Sequence, residues 1–301
     1  LPAWEDVSYA EDHNVHEGGK MSPNDLSIQR NERKYLILEH SFQEIIEEIQ
    51  DHIPVHCYEG KPALVDIETI YLDTDDFLLF NEFLLRRKFR YKIRLRRYGY
   101  AGVFEPAYFV EMKVSHDKIS TKKRFVLPAE CYDAFLRNED LKAVVKEANK
   151  GLKGALKTYK LVHALMKLNH FLPVLRTSYN RIAFQKQSKR VRITVDNNIT
   201  HQKLLGKPRL ETLDAIVLES KIAGKTPKWH KKMVNRLSLL RQQRFSKFAT
   251  GINSIYFPKR GKYNFYNDGD IDDTQIPQRI KDSFELLKPA LKMGDKSLYE
   301  V

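Results

Sequence analysis

The chain has 301 residues, 42% of them hydrophobic and 30% charged, with 52 Lys+Arg against 39 Asp+Glu and a formal net charge of +13. That balance suits a globular protein with a sizeable core, excludes a low-complexity or collagen-like chain, and points to a polyanionic partner. The two cysteines, Cys57 and Cys131, form no CxxC pair, which argues against a structural zinc site. No apolar run reaches the ~20 residues of a membrane-spanning helix. The first residues, LPAWEDVSYAEDHN, lack the basic start and apolar centre of a secretory signal, so a soluble, cytoplasmic chain is expected.

Residues 1–29 are polar and without period and read as an extension. From Arg30 onward, short runs rich in β-branched and aromatic residues alternate with turn signals. Strands are predicted at 30–38, 64–73, 84–98, 107–114, 119–127, 172–184, 189–197 and 213–222. Ser41 and Glu44 have the spacing of a capping box before FQEIIEEIQDHI. Further helices are predicted at 128–138, 154–171 and 226–242, the last with Pro227 near its first turn. The chain turns polar after about residue 258, with a loop at 267–275. A docking helix is predicted in the tail from PQRIKDSFELLKPAL. Strands and helices without a regular βαβ rhythm predict an α+β fold built on an antiparallel sheet.

The basic residues are patterned. In RYKIRLRR, strand geometry puts Arg90, Lys92, Arg94 and Arg96 on one face and Tyr91, Ile93 and Leu95 on the other. Lys122 and Arg124 likewise oppose Lys123 and Phe125, and Arg190 and Arg192 oppose Val191 and Ile193. Like charges along one face repel unless water or an anion intervenes. Any one such strand is commonly a solvated surface; several of them in one sheet could close into a barrel with the basic faces inward, a phosphate tunnel. Glu-x-Lys recurs at Glu32/Lys34, Glu111/Lys113 and Glu219/Lys221. A carboxylate two residues from an ammonium can hold a divalent metal beside a phosphate. There is no Walker loop, dinucleotide fingerprint, kinase motif set, G-x-S-x-G or HExxH, and no RNA- or DNA-binding signature, so nucleic acid is not an expected partner.

The segments ERKYLI (32–37), YLDT (71–74), KIRLRRY (92–98), FVEMK (109–113), KKRF (122–125), RTSYNRIAF (176–184), VRITVDNNI (191–199), VLESKI (217–222) and RFSKFATGI (244–252) together resemble the VTC domain. That is the catalytic domain of polyphosphate polymerases within the triphosphate tunnel metalloenzymes, next to CYTH-type triphosphatases. The resemblance spans about residues 30–257 and leaves 258–301 as a tail. It implies an antiparallel β-barrel tunnel with peripheral helices. It also implies ATP-dependent extension of inorganic polyphosphate with a divalent metal, manganese or magnesium. ATP and polyphosphate or pyrophosphate would be the bound partners, with a membrane protein as a candidate partner for polymer export. Matched by motif, Lys34, Arg94, Arg96, Lys113, Arg181, Arg192 and Lys247 would be catalytic, and Lys92, Lys122, Arg124, Arg190 and Lys221 would bind substrate. Glu219 would hold the metal, with Glu32 and Glu111 as further candidates. Where the superfamily opens with E-x-E-x-K, this chain has Arg30-x-Glu32-x-Lys34, which implies fewer metal ligands and a more basic interior. A triphosphatase or nucleotide cyclase of the same fold, or a non-catalytic polyphosphate-binding module, are the alternatives.

Overall fold

The computed structural model describes residues 30–37, 42–57, 60–116, 119–186, 191–237, 239, 245–260 and 276–291. Ten strands are present: β1 (Arg30–Ile37), β2 (Leu64–Asp73), β3 (Phe89–Tyr100), β4 (Val103–Phe104), β5 (Ala107–His116), β6 (Ile119–Pro128), β7 (Leu172–Lys186), β8 (Val191–Lys203), β9 (Leu210–Leu213) and β10 (Ile216–Ala223). The helices are α1 (Phe42–Gln50), α2 (Leu78–Leu84), α3 (Tyr132–Leu136), α4 (Lys142–Ala148), α5 (Ala155–Asn169), α6 (Lys228–Arg236), α7 (Lys247–Tyr256) and α8 (Gln278–Leu291). The strand order is β1-β10-β8-β7-β2-β3-β5-β6, with β4 beside β3 and β9 beside β8, and every pairing whose register is resolved is antiparallel. The α+β class with peripheral helices therefore holds. The expected barrel closure does not appear in this strand order, which among the described residues is an open path with β1 and β6 at its ends.

The chain divides into two compact units, with β7 and β8 running through both. The first comprises 1–64, 182–195 and 216–243. Its core gathers Tyr35 and Ile37 of β1, Ile45, Ile46 and Ile49 of α1, Ile193 and Val195 of β8, Leu218 and Ile222 of β10, and Met233 of α6. Alternation then turns Glu32, Lys34, Arg192, Glu219 and Lys221 to the opposite face. Ser41, the proposed cap of α1, lies outside the described residues, as does Arg190.

The second unit comprises 65–181, 196–215 and 244–301. Tyr91, Ile93 and Leu95 of β3, Val110, Met112 and Val114 of β5, and Phe125 and Leu127 of β6 pack under α5 and α8. The expected tail helix is α8, and it is part of this core: Ile280, Phe284, Leu287 and Leu291 are buried in it, and Ser283 meets the Tyr91 hydroxyl at 2.9 Å. The predicted strand 84–98 begins only at Phe89, because Leu84 ends α2 and residues 85–88 form the turn after it, with Arg86 left-handed (φ 59°). The buried Asp73 carboxylate accepts from the N–H groups of Leu79 (2.8 Å) and Phe80 (3.0 Å), and Thr74 Oγ1 accepts from that of Leu78 (2.9 Å). These are the orphan donors of a helix start. Burial pushes the Asp73 carboxyl up to about 7, against the Leu79, Thr74 and Phe80 N–H groups, which favour its anion. The predicted helix 128–138 is shorter, with a 3₁₀ turn leading into α3, and the predicted strand 213–222 divides into β9 and β10.

Candidate functional site

In the second unit the register of β3, β5 and β6 arranges the basic residues in rows. Lys92, Lys113 and Lys122 stand side by side, followed by Arg94, Glu111 and Arg124, then Arg96, Phe109 and Val126. This is the face opposite the core, as the alternation in RYKIRLRR predicts. Three lysines in register repel one another. Lys92 is anchored: its Nζ donates to Ser246 Oγ at 3.0 Å and lies 4.6 Å from the Phe83 ring centroid and 5.0 Å from that of Phe248. Capping by Asp73 sets α2, and so Phe83, in place for that contact.

Glu111 is buried at the centre of these rows. Its Oε2 accepts from Arg94 (Nε at 2.7 Å, NH2 at 2.6 Å), and its Oε1 lies 2.6 Å from Lys122 Nζ. Burial alone would raise its pKa, but Arg94, Arg96 and Lys122 outweigh burial and hold it well below the usual carboxylate range. Both oxygens are thus committed to cations. Arg96, at 7% exposure, makes no ion-pair contact among the described residues; its Nε donates to Thr69 Oγ1 at 3.0 Å. Glu111, already committed to Arg94 and Lys122, is the carboxylate that favours the charge of Arg96, so a bound anion would add to a counter-charge that is shared.

A second carboxylate organises β7, β8 and α7. Asp196 is fully buried; Arg181 grips it with both prongs (Nε–Oδ1 2.6 Å, NH2–Oδ2 2.8 Å) and Lys247 Nζ reaches Oδ2 at 2.5 Å. Burial works against its ionisation, and Arg181 and Lys247 overcome it, so the carboxyl is held low. Both cations also face Tyr179, Lys247 at 4.8 Å and Arg181 at 5.4 Å from the ring centroid. Lys247 opens α7, whose N-cap Ser246 accepts from Ala249 N–H at 3.4 Å. Asn198 has a left-handed backbone (φ 51°) and breaks the alternation of β8. Asp196 therefore meets Arg181 while His201, five residues on, meets Thr177 on the same side of β7 (Nδ1–Oγ1 3.0 Å), the signature of one extra residue in the strand.

The first unit carries the other candidates on the non-core face of β1, β10 and β8. Lys34 stands opposite Glu219, and Glu32 opposite Lys221. Along each strand the pairs also touch, Lys34–Glu32 at 3.4 Å and Lys221–Glu219 at 3.2 Å. The result is a checkerboard of two ammonium and two carboxylate groups. The Glu219 side chain is 16% exposed and that of Glu32 41%. Glu219 and Glu32 are hard oxygen donors on one face, each beside a lysine, and are the residues that would hold a magnesium or manganese ion. Among the described residues no group of three or more His, Cys, Asp or Glu side chains forms a complete metal cage.

The structure thus places Lys92, Arg94, Arg96, Lys113, Lys122, Arg124, Arg181 and Lys247 in the second unit and Glu32, Lys34, Arg192, Glu219 and Lys221 in the first. Sequence reasoning missed Asp196 as the anchor of Arg181 and Lys247. The aspartate sits inside VRITVDNNI, but its partners are 15 and 51 residues away.

Comparison with known proteins places the chain in a family. The family model described as "VTC domain" matches residues 29–256. The Vacuolar transporter chaperone complex subunit 4 of Trypanosoma brucei brucei is 26% identical over 278 residues, covering 76% of this chain and 35% of the relative. Its counterpart in Trypanosoma cruzi is 27% identical over 228 residues, covering 63% and 28%. The chain thus spans about a third of the length of these curated relatives. Among solved structures, a candidate adenylate cyclase of Bacillus halodurans aligns with a TM-score of 0.43 at 15% identity, over 75% of this chain and 96% of its own. A candidate adenylyl cyclase of Hippeastrum with a dominant triphosphatase activity aligns with a TM-score of 0.41 at 12% identity, also over 75% and 96%. With the family model matched across three quarters of its length, the chain belongs to the VTC domain family.

Proposed function

We propose that this chain is a polyphosphate polymerase that moves the γ-phosphoryl group of ATP onto the end of an inorganic polyphosphate chain. Membership of the VTC domain family supports this reading, and one observation carries it. On the sheet face of Arg94, Arg96, Lys122, Arg124, Arg181 and Lys247, the buried carboxylates that meet these cations among the described residues, Glu111 and Asp196, each already lie between two of them. The remaining positive charge, buried Arg96 above all, calls for a polyanion.

In the reaction a terminal phosphate oxygen attacks the γ-phosphorus, the bond from that phosphorus to the β–γ bridging oxygen breaks, and ADP leaves. The attacking oxygen is largely ionised near neutral pH, so no nucleophilic side chain or strong base is required. Catalysis is then positioning and charge neutralisation. In the second unit Arg94, Arg96 and Arg181 hold the triphosphate, with Lys113 as a further contact and Lys247 guiding the growing chain; Lys34 and Arg192 belong to the first unit. Glu219, with Glu32 beside it, would hold the divalent metal, which supplies charge neutralisation at the phosphate oxygens. Glu111 commits both oxygens to Arg94 and Lys122 and is left out of that ligand set.

The test is incubation with ATP and manganese, with the product sized on a gel. Long polymer together with ADP is expected. Orthophosphate without polymer would replace the polymerase with a triphosphatase, and tight polyphosphate binding without turnover would leave a binding module.

A further inference from the structure

We infer that the outer surface of α4 and α5 is a docking face for an anionic lipid bilayer. Residues 141–170 carry Lys142, Lys146, Lys150, Lys153, Lys157, Lys160 and Lys167, all exposed. The acid among them, Glu147, pairs with Lys150. Lys146, Lys153, Lys157, Lys160 and Lys167 make no ion pair among the described residues. On α5, Lys157, Lys160 and Lys167 fall on one stripe, opposite the stripe that buries Ala155, Tyr159, Val162, Leu165 and Met166 in the core. Like charges three and four residues apart on a helix destabilise it. The packing of the unit does not use these charges, since they face away from it.

The chemistry of the patch selects its partner. The segment 141–170 contains no Arg, Phe or Trp, and its one tyrosine, Tyr159, is buried. It therefore offers no forked donors for bidentate phosphate or base recognition and no exposed Phe, Tyr or Trp ring on which a base could stack, His170 at its far end being its one exposed ring. Flexible ammonium groups spread over a convex helical surface match the diffuse negative potential of a lipid headgroup layer. Val144, 36% exposed among the lysines, adds an apolar contact of the kind that settles at such an interface. Among the described residues no helix is long and apolar enough to cross a membrane, so the contact is peripheral. This inference stands apart from the proposed reaction.

The experiment is co-sedimentation with vesicles of phosphatidylcholine alone and with phosphatidylserine added. The triple substitution Lys153→Glu, Lys157→Glu and Lys160→Glu is compared with an equal charge change on α6, Lys228→Glu, Lys231→Glu and Lys232→Glu, whose lysines are also exposed. Acidic residues in the first turns of α5 are compatible with its dipole, so the fold should hold, which circular dichroism checks. Binding only to the phosphatidylserine vesicles, at least tenfold weaker in the α5 variant and changed less than threefold in the α6 variant, is expected. Equal loss in both variants would reduce the effect to net charge and overturn the assignment, as would no vesicle binding. Loss of polyphosphate or RNA binding in the α5 variant without loss of vesicle binding would assign the face to that polyanion instead.

Discussion

Arg181 and Asp196 face each other across adjacent strands in a two-pronged ion pair, Nε–Oδ1 at 2.6 Å and NH2–Oδ2 at 2.8 Å, with the carboxylate sealed from solvent. The same carboxylate takes Lys247. Asp196→Asn keeps the shape but leaves two cations together without their counter-charge. Removing one partner of a buried ion pair costs about 3–5 kcal/mol. Urea unfolding should show a loss of that order. Tripolyphosphate should restore more stability to the variant than it adds to the parent, because the added anion takes the place of the missing charge. An unchanged unfolding midpoint would mean that Asp196 does not hold Arg181 and Lys247.

The basic face was readable in advance because strand alternation is a local rule: Arg94 and Arg96 must share a side whatever the tertiary structure. Its partners were less so. The position of Asp196 depends on an extra residue at Asn198 and on a helix that starts at Lys247, 51 residues after the aspartate, neither of which has a period to find. Helix α2, which falls between the predicted strands 64–73 and 84–98, was missed because its cap is Asp73, several residues before the helix begins. Barrel closure rested on the charge pattern together with the family resemblance, and charge patterns specify faces, not which edge strands pair.

Gly251 of α7 is required by close approach. A Cβ at this position would lie 2.6 Å from Leu175 Cδ2 and 2.6 Å from His201 Nδ1. Gly251→Ala should gain up to about 1 kcal/mol of helix propensity but lose about 1–3 kcal/mol to overpacking. The net expectation is a lower melting temperature. Because α7 carries Lys247, polymer synthesis should fall as well. A raised melting temperature with full activity would show that the helix shifts freely.

His230 is fully buried between Tyr35 and Trp229, and neither ring nitrogen has a hydrogen-bond partner among the described residues. Burial, assisted by Arg33, pushes its pKa down to about 4. The unfolded chain then binds the proton more readily than the folded one. Stability from the neutral ring is complete above about pH 6.5 and is lost as the pH falls toward 4, by about 3 kcal/mol in full. His201, also near 4 through burial and Lys247, adds a loss of the same sign. Asp73 and Glu82, pushed up to about 7 by burial, act in the opposite sense over the same window, so the comparison isolates His230: between pH 7.5 and 4 the urea midpoint of the parent should fall relative to that of His230→Leu. Parallel curves for the two proteins would show that His230 does not titrate there.

Glu219 stands opposite Lys34 and beside Lys221 on the non-core face of the first unit. Glu219→Gln keeps the size and removes the anionic oxygen that a hard cation prefers. Manganese-dependent turnover should drop by two orders of magnitude or more, on the order of 3 kcal/mol in the barrier. ATP affinity without metal should change less than threefold. Full turnover at the same manganese concentration would remove Glu219 from the reaction.

Arg96 gives the sharpest separation of stability from function. Its guanidinium is buried, donates to the neutral Thr69 hydroxyl and makes no ion-pair contact among the described residues, sharing the field of Glu111 with Arg94 and Lys122. Replacing a poorly compensated buried charge by an apolar side chain of similar length is often neutral or stabilising. Arg96→Met should therefore melt at the same temperature as the parent or higher. It should also lose the charged hydrogen bonds offered to the triphosphate, worth about 1.5–3 kcal/mol, or roughly ten- to hundredfold in ATP affinity. Residues that cost stability in the empty protein and matter only once a ligand arrives are the mark of a binding site. A variant that melts lower and still binds ATP normally would make Arg96 a structural residue and leave the basic face without its strongest argument.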